Sequence, residues 1–211
     1  MARLADLDAV TFDANGTLVG LVDPVPKLDR ILRDRGVERA TASIRRAFEA
    51  EGRVYAARGL EAHEPTAFAT LQRECAAVFL TELDAGLDPG EFASSYAGSM
   101  EFELLPGVAE ALARLRSCGL ELGVVANFDL TLTGWLERLG IAGAFSTVVT
   151  PADAGAAKPD RAIFEVALGR LGVRPERALH IGDGERDETG ARAAGMHFEW
   201  APIPKALEAC R

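Results

Sequence analysis

Asp13 stands directly after the apolar run Leu7 to Phe12 and before a Gly-containing turn, in the string VTFDANGTLV. A carboxylate there sits at the C-terminal edge of a strand, where open α/β sheets bind ligands. Three further segments place apt residues at strand ends or loop starts: Asn127 in VVANFD, Lys158 in AGAAKPDRAIF, and Asp183 with Asp187 in HIGDGERD. In a parallel sheet these four strand ends project to one edge, so three carboxylates and one ammonium would share a crevice. Like charges within a few Å push pKa values apart or recruit a cation, and hard oxygen ligands in a wet site suit Mg²⁺. Asp183 and Asp187 are four apart, so a helical turn beginning here would let both face one ion. Lys158 would hold the Asp13 carboxylate ionised and offset charge on a phosphoryl group. Gly16 and Thr17 supply a turn whose backbone N–H groups could point at anionic oxygens.

The elements that must position these residues follow from periodicity. Leu7 to Phe12 is the first strand. Pro106 to Gly119 has Pro at a helix start, Gly at its end, and Val108, Leu112 and Leu115 at helical spacing. A strand at Leu120 to Ala126 follows, then a helix near Leu130 to Leu139, a strand at Thr147 to Thr150, and a helix near Arg161 to Leu171. A strand at Ala178 to Ile181, a helix near Glu188 to Ala194 and a short strand at His197 to Trp200 complete the series. This alternation signals βαβ units and a parallel sheet.

Between Val19 and about Ser99 the pattern is helix after helix, over Pro26 to Arg35, Thr41 to Arg58, Pro65 to Leu83 and Pro89 to Tyr96, with no strand signal between them. The expected architecture is a doubly wound α/β core of residues 1–18 and about 102–211, with an inserted α-helical cap of about 19–101. Such lids exclude water and select substrate.

Bulk properties narrow the function. At 211 residues, 48% hydrophobic and 26% charged, the chain can bury a core without staples, and its composition argues against general disorder. The net charge of −9 and the absence of a long basic run argue against nucleic acid as a partner. Cys75, Cys118 and Cys210 form no CxxC pair, which speaks against a disulfide framework or thiolate zinc site. The start MARLADLDAV lacks a secretory apolar region, and no apolar run approaches the roughly 18 residues that span a bilayer, so no membrane association is expected and the cytoplasm is the expected compartment.

The four segments in this order resemble the haloacid dehalogenase (HAD) superfamily over nearly the whole chain, including a helical cap inserted after the first motif. FDANGTL is similar to the nucleophile motif, VVANFD to the second, the Lys158 segment to the third, and HIGDGERD to the acidic fourth. The resemblance implies a hydrolase of small molecules, most often phosphorylated, in which Asp13 attacks the electrophile and forms an aspartyl intermediate. It implies Mg²⁺ held by side chains of Asp13 and Asp183, with Asp187 directly or through water, and by the backbone carbonyl of Asn15. Asn15, Gly16, Thr17, Ala126, Asn127 and Lys158 would then bind the substrate, with Lys158 and Asn127 also serving catalysis beside Asp13.

Two residues depart from the phosphatase pattern. Family phosphatases carry Asp at the position of Asn15, where it protonates the leaving group and later activates water. An amide can do neither, and general acid–base catalysis contributes about 10²–10⁴ in rate. Ala126 stands where the second motif has Ser or Thr, removing a hydroxyl contact worth about 1.5–3 kcal/mol if made to a charged oxygen. Two other readings follow. Haloacid dehalogenases lack the second Asp because halide leaves unprotonated, although their fourth motif usually lacks the acid pair kept here. A catalytically silent module that binds a ligand or a protein is the third.

Other residues have plainer readings. His63, His180 and His197 show no ligand spacing and are read as structural. Arg45 and Arg46 are read as a solvated or salt-bridged helix face. Phe128 and Trp135 are read as packing residues, Phe128 next to the site.

Overall fold

The computed structural model describes residues 3–59, 62 and 64–209; His63 and Cys210 lie outside the described residues. Its strands are β1 (Ala9–Phe12), β2 (Val19–Leu21), β3 (Phe102–Leu104), β4 (Glu121–Val125), β5 (Thr147–Val149), β6 (Ala178–Gly182) and β7 (His197–Trp200). The helices are α1 (Val25–Arg33), α2 (Thr41–Arg58), α3 (Pro65–Glu82), α4 (Pro89–Ala97), α5 (Val108–Ser117), α6 (Leu132–Arg138), α7 (Pro151–Ala154), α8 (Arg161–Leu171), α9 (Glu185–Ala193) and α10 (Ile203–Ala209). The chain divides into two compact units, one running to Gly20 and resuming at Glu103, the other spanning Leu21–Phe102.

The first unit is built on a five-stranded sheet in the order β5-β4-β1-β6-β7. All four pairings are parallel. Every residue of β1 and β6 is buried, the near-continuous apolar run expected of parallel strands covered on both faces. Register places Phe12 opposite both Val124 and Ile181, so the ends of β1, β4 and β6 lie side by side. Ile163, Phe164 and Ala167 from α8, with Ala191 and Met196, form one buried core with Val125, Val149 and Phe198 of the sheet. The α8 helix opens on Asp160, whose carboxylate accepts from Ala162 N–H at 2.9 Å, and ends at Gly172 with φ +69°. The mostly parallel sheet flanked by helices is the Rossmann-like α/β fold expected from the alternation.

The second unit is helical. Leu28 and Leu32 of α1, Ile44 of α2, Phe79 of α3 and Phe92 of α4 form one buried core. Phe79 and Phe92 stack at 6.0 Å, 6° from parallel, and Tyr96 lies 5.0 Å from Phe79. Within that core the Tyr96 hydroxyl donates to the buried Glu51 carboxylate at 2.8 Å, which satisfies both groups.

Several details differ from the sequence reading. Val19–Leu21 is a strand, paired with β3, not part of a helical run; three residues are too few to register a period. Asp183 is not helical. Helix α9 starts at Glu185, three residues before the expected Glu188, because the acids at 185, 187 and 188 favour a helix N-terminus. Helices α7 and α10 were not anticipated, because 4 and 7 residues are too few to register a helical period.

Candidate functional site

Asp13 follows β1, Asn127 lies two residues past β4, and Asp183 follows β6, so the register of the three central strands brings them to one edge. Lys158 reaches the same edge from the loop before α8. A cavity of about 510 Å³ opens there, lined by Asp13, Asn15, Ala126, Asn127, Phe128, Lys158 and the start of α9 from Gly184 to Asp187. Gly16, Thr17 and Asp183 are not among its lining residues.

The Lys158 ammonium is buried, with its side chain only 3% exposed. It donates to Asp13 Oδ1 and, at 2.6 Å, to Asp187 Oδ1. Burial raises the Asp13 carboxyl to about 6, outweighing the Lys158 charge beside it. Burial would also raise Asp187, but a hydrogen bond from His180 and the Lys158 charge hold it down at about 2. Asp183, more open, is raised by burial and then by the Asp187 charge. One oxygen from each of Asp13, Asp183 and Asp187 lies within 4.8 Å of the others. Three carboxylates facing one ammonium leave a net negative, all-oxygen donor set, which fits a hard divalent cation such as Mg²⁺.

Two glycines allow this convergence. Gly16 has φ +88°, and a Cβ on it would lie 2.0 Å from Asp183 Oδ2; only a residue with no side chain lets Asp183 fold over the turn. A Cβ on Gly182 would lie 2.5 Å from the Asp187 Cβ and Cγ. Asp183 and Asp187 therefore meet by a strand end folding back under a helix start, not by the four-residue helical step.

The turn after Asp13 corrects another expectation. Gly16 N–H donates to Val19 O at 2.8 Å and Thr17 N–H to Ala14 O at 3.3 Å, so neither is free to hold an anion. Thr17 is buried, and its hydroxyl has no hydrogen-bond partner among the described residues. Asn15 is exposed at the cavity wall. Asn127 clasps the backbone of Lys158: its Oδ1 accepts from Lys158 N–H at 2.8 Å and its Nδ2 donates to Lys158 O at 3.0 Å. That clasp fixes the loop from which the Lys158 side chain departs. Arg45 pairs with Asp23 at 2.8 Å, and Arg46 donates to Ser43 at 3.0 Å, in keeping with a salt-bridged face. Trp135 lies under the Arg138 guanidinium at 4.8 Å.

Sequence reasoning missed Glu185 and Arg186, which line the cavity, and His180, which touches Asp187 from beneath. Their proximity to a fourth-segment acid was the available signal, but facing direction depends on where α9 starts.

The profile of haloacid dehalogenase-like hydrolases matches residues 7–195. Haloacid dehalogenase-like hydrolase domain-containing protein 3 of Bos taurus is 40% identical over 114 residues, 54% of this chain and 45% of that protein. A glyceraldehyde 3-phosphate phosphatase of Methanothermobacter thermautotrophicus is 41% identical over 104 residues, 46% of each chain. The aligned stretches thus span less than half of either relative. Among solved structures, the 2-haloacid dehalogenase from Pseudomonas syringae superposes with a TM-score of 0.60 at 27% identity, covering 92% of this chain and 86% of that one. With the family profile covering nearly all of the chain and the four motif segments meeting at one sheet edge, the chain belongs to the haloacid dehalogenase-like hydrolase family.

Proposed function

We propose that this chain is a Mg²⁺-dependent hydrolase of phosphatase type, acting on a small phosphorylated metabolite through an aspartyl intermediate on Asp13. The observation that carries this reading is the cluster of Asp13, Asp183 and Asp187, two of which share the Lys158 ammonium, a donor set that metal-assisted phosphoryl transfer needs and halide displacement does not. Asp13, Asp183, Asp187 and the backbone carbonyl of Asn15 would hold the ion, and Mg²⁺ so bound would neutralise charge on the phosphoryl oxygens. Asp13 is the nucleophile: its carboxylate attacks phosphorus, the leaving group departs with the bonding electrons, and water later hydrolyses the acyl phosphate. Lys158 favours the ionised form of Asp13 and offers its charge to the phosphoryl group. Asn127 positions Lys158 through its backbone and keeps an amide N–H for the substrate. The helical unit, inserted between β2 and β3, serves in this reading as the cap that selects the substrate.

Asn15 decides which substrates work. With no carboxyl there to protonate the leaving group, the site favours acyl or aryl phosphates, whose leaving groups need no proton. Phosphate release from acetyl phosphate and p-nitrophenyl phosphate is expected to require Mg²⁺ and to vanish in Asp13→Ala. Asn15→Asp is expected to raise turnover of alkyl phosphates by about 10²–10⁴. The same Asn15, with the likeness to a 2-haloacid dehalogenase, supports a second reading; halide release from 2-chloropropionate that persists in chelator would establish it in place of the first. Absence of any turnover in the unmodified chain, with phosphatase activity gained in Asn15→Asp, would leave a silent binding module and overturn the proposal.

A further inference from the structure

His180 is the least expected polar residue in the molecule. It sits in the middle of β6 with no exposed surface, its ring edge-on to Phe164 at 5.0 Å and tilted against Phe198 at 6.3 Å. An imidazole serving only to pack there would be matched by Phe or Leu without the cost of burying two ring nitrogens. Both nitrogens are instead hydrogen-bonded. Nδ1 meets the hydroxyl of Thr11, its cross-strand neighbour on β1, at 2.9 Å, and Nε2 meets Asp187 Oδ1 at 3.1 Å.

We propose that His180 is a positioning residue: through its Nε2–H it fixes the Asp187 carboxylate, and so holds the Lys158 ammonium against Asp13. This rests on the reading of Asp13 and Lys158 as the working pair. The polarity of the chain follows from its ends. An ionised carboxylate only accepts, so the proton on that side belongs to Nε2 whether or not the ring carries a second one. Asp187 Oδ1 then accepts from His180 and Lys158 while Oδ2 accepts from Gly184 N–H at 3.2 Å, three donors that fix the rotation of the carboxylate. Gly182 and Gly184 put no side chain against it. Thr11 in turn sets the plane of the ring. A line of contacts therefore runs from Thr11 through His180, Asp187 and Lys158 to Asp13, across two adjacent strands, the first turn of α9 and two loops.

The test uses the full chain and its His180→Leu and His180→Gln variants; Gln keeps an N–H donor near the place of Nε2 and Leu keeps volume alone. Long-range ¹H–¹⁵N spectra of the unmodified chain are expected to place a slowly exchanging proton on His180 Nε2, and a proton on Nδ1 alone would overturn the proposal. With acetyl phosphate and Mg²⁺, His180→Leu is expected to lose about 10–100-fold in kcat with KM little changed, and calorimetry with Mg²⁺ alone to show a comparable loss of affinity. His180→Gln is expected to recover most of both at an equal melting temperature. Unchanged kcat and Mg²⁺ affinity in His180→Leu, or losses in Gln as large as in Leu at equal stability, would refute the role. Should the unmodified chain turn over no phosphate, the phosphatase reading falls, and the spectrum and Mg²⁺ calorimetry still decide the place of His180.

Discussion

Replacing Lys158 with Met tests the electrostatic core of the site directly. The side chains of Lys158, Asp13 and Asp187 are 3%, 11% and 5% exposed, so the substitution strands two carboxylates in a poorly solvated place. Breaking a buried pair by removing one partner costs about 3–5 kcal/mol, because the remaining charge has no compensation. The pH dependence has a definite sign. Asp13 titrates near 6 in the folded chain against 3.8 as its ordinary value, so the folded state holds a proton that the unfolded state has released. Its contribution is therefore stability lost as pH rises from 3.8 to about 6, amounting to about 3 kcal/mol once both states are ionised. Lys158 is what limits that loss. Without it the folded carboxyls rise further, and the window of loss extends upward. Urea unfolding in chelator, followed by tryptophan fluorescence, isolates the α/β unit because Trp135 and Trp200 both lie in it. Lys158→Met is expected to be destabilised by about 3–5 kcal/mol at pH near 7 and by distinctly less near pH 5, where protonation relieves the stranded charge. A loss under about 1 kcal/mol, or one as large at pH 5 as at pH 7, would show that the ammonium is not the compensating charge.

Two further outcomes are expected. Gly16→Ala must adopt φ +88° and displace Asp183, so it is expected to cost about 1–2 kcal/mol in urea unfolding and to weaken Mg²⁺ binding by calorimetry; unchanged Mg²⁺ affinity would show that Asp183 can ligate from elsewhere. Burial, then a hydrogen bond to Glu51, raises the Cys75 thiol, whereas Cys118 is exposed, so iodoacetamide followed by peptide mass spectrometry is expected to label Cys118 and spare Cys75 until the chain is denatured. Equal labelling rates in the native chain would contradict the packed core around α3.

The sequence alone determined most elements of the α/β core and their order, because apolar periodicity is a local property; the short β2, β3, α7 and α10 escaped it. The helical pattern of Pro106 to Gly119 followed by the apolar run Leu120 to Ala126 signals a βαβ unit, and Asp13, Asn127 and Asp183 each follow a strand while Lys158 precedes a helix. A parallel sheet then leaves them one common edge. What each side chain does at that edge depends on contacts between segments far apart in sequence, which no local period encodes. Asn127 lies 31 residues from the Lys158 backbone it clasps, and Thr11 lies 169 from the His180 ring it orients. The Gly16 turn looked like an anion cradle until its N–H groups met Ala14 and Val19, and its glycine proved to make room for Asp183. His180 reads as a core residue by every local criterion. Only the register of β6 against β1, and the starting point of α9, turn it toward a hydroxyl on one side and a carboxylate of the site on the other, because hydrogen-bond partners are chosen by proximity in space and burial makes that choice binding.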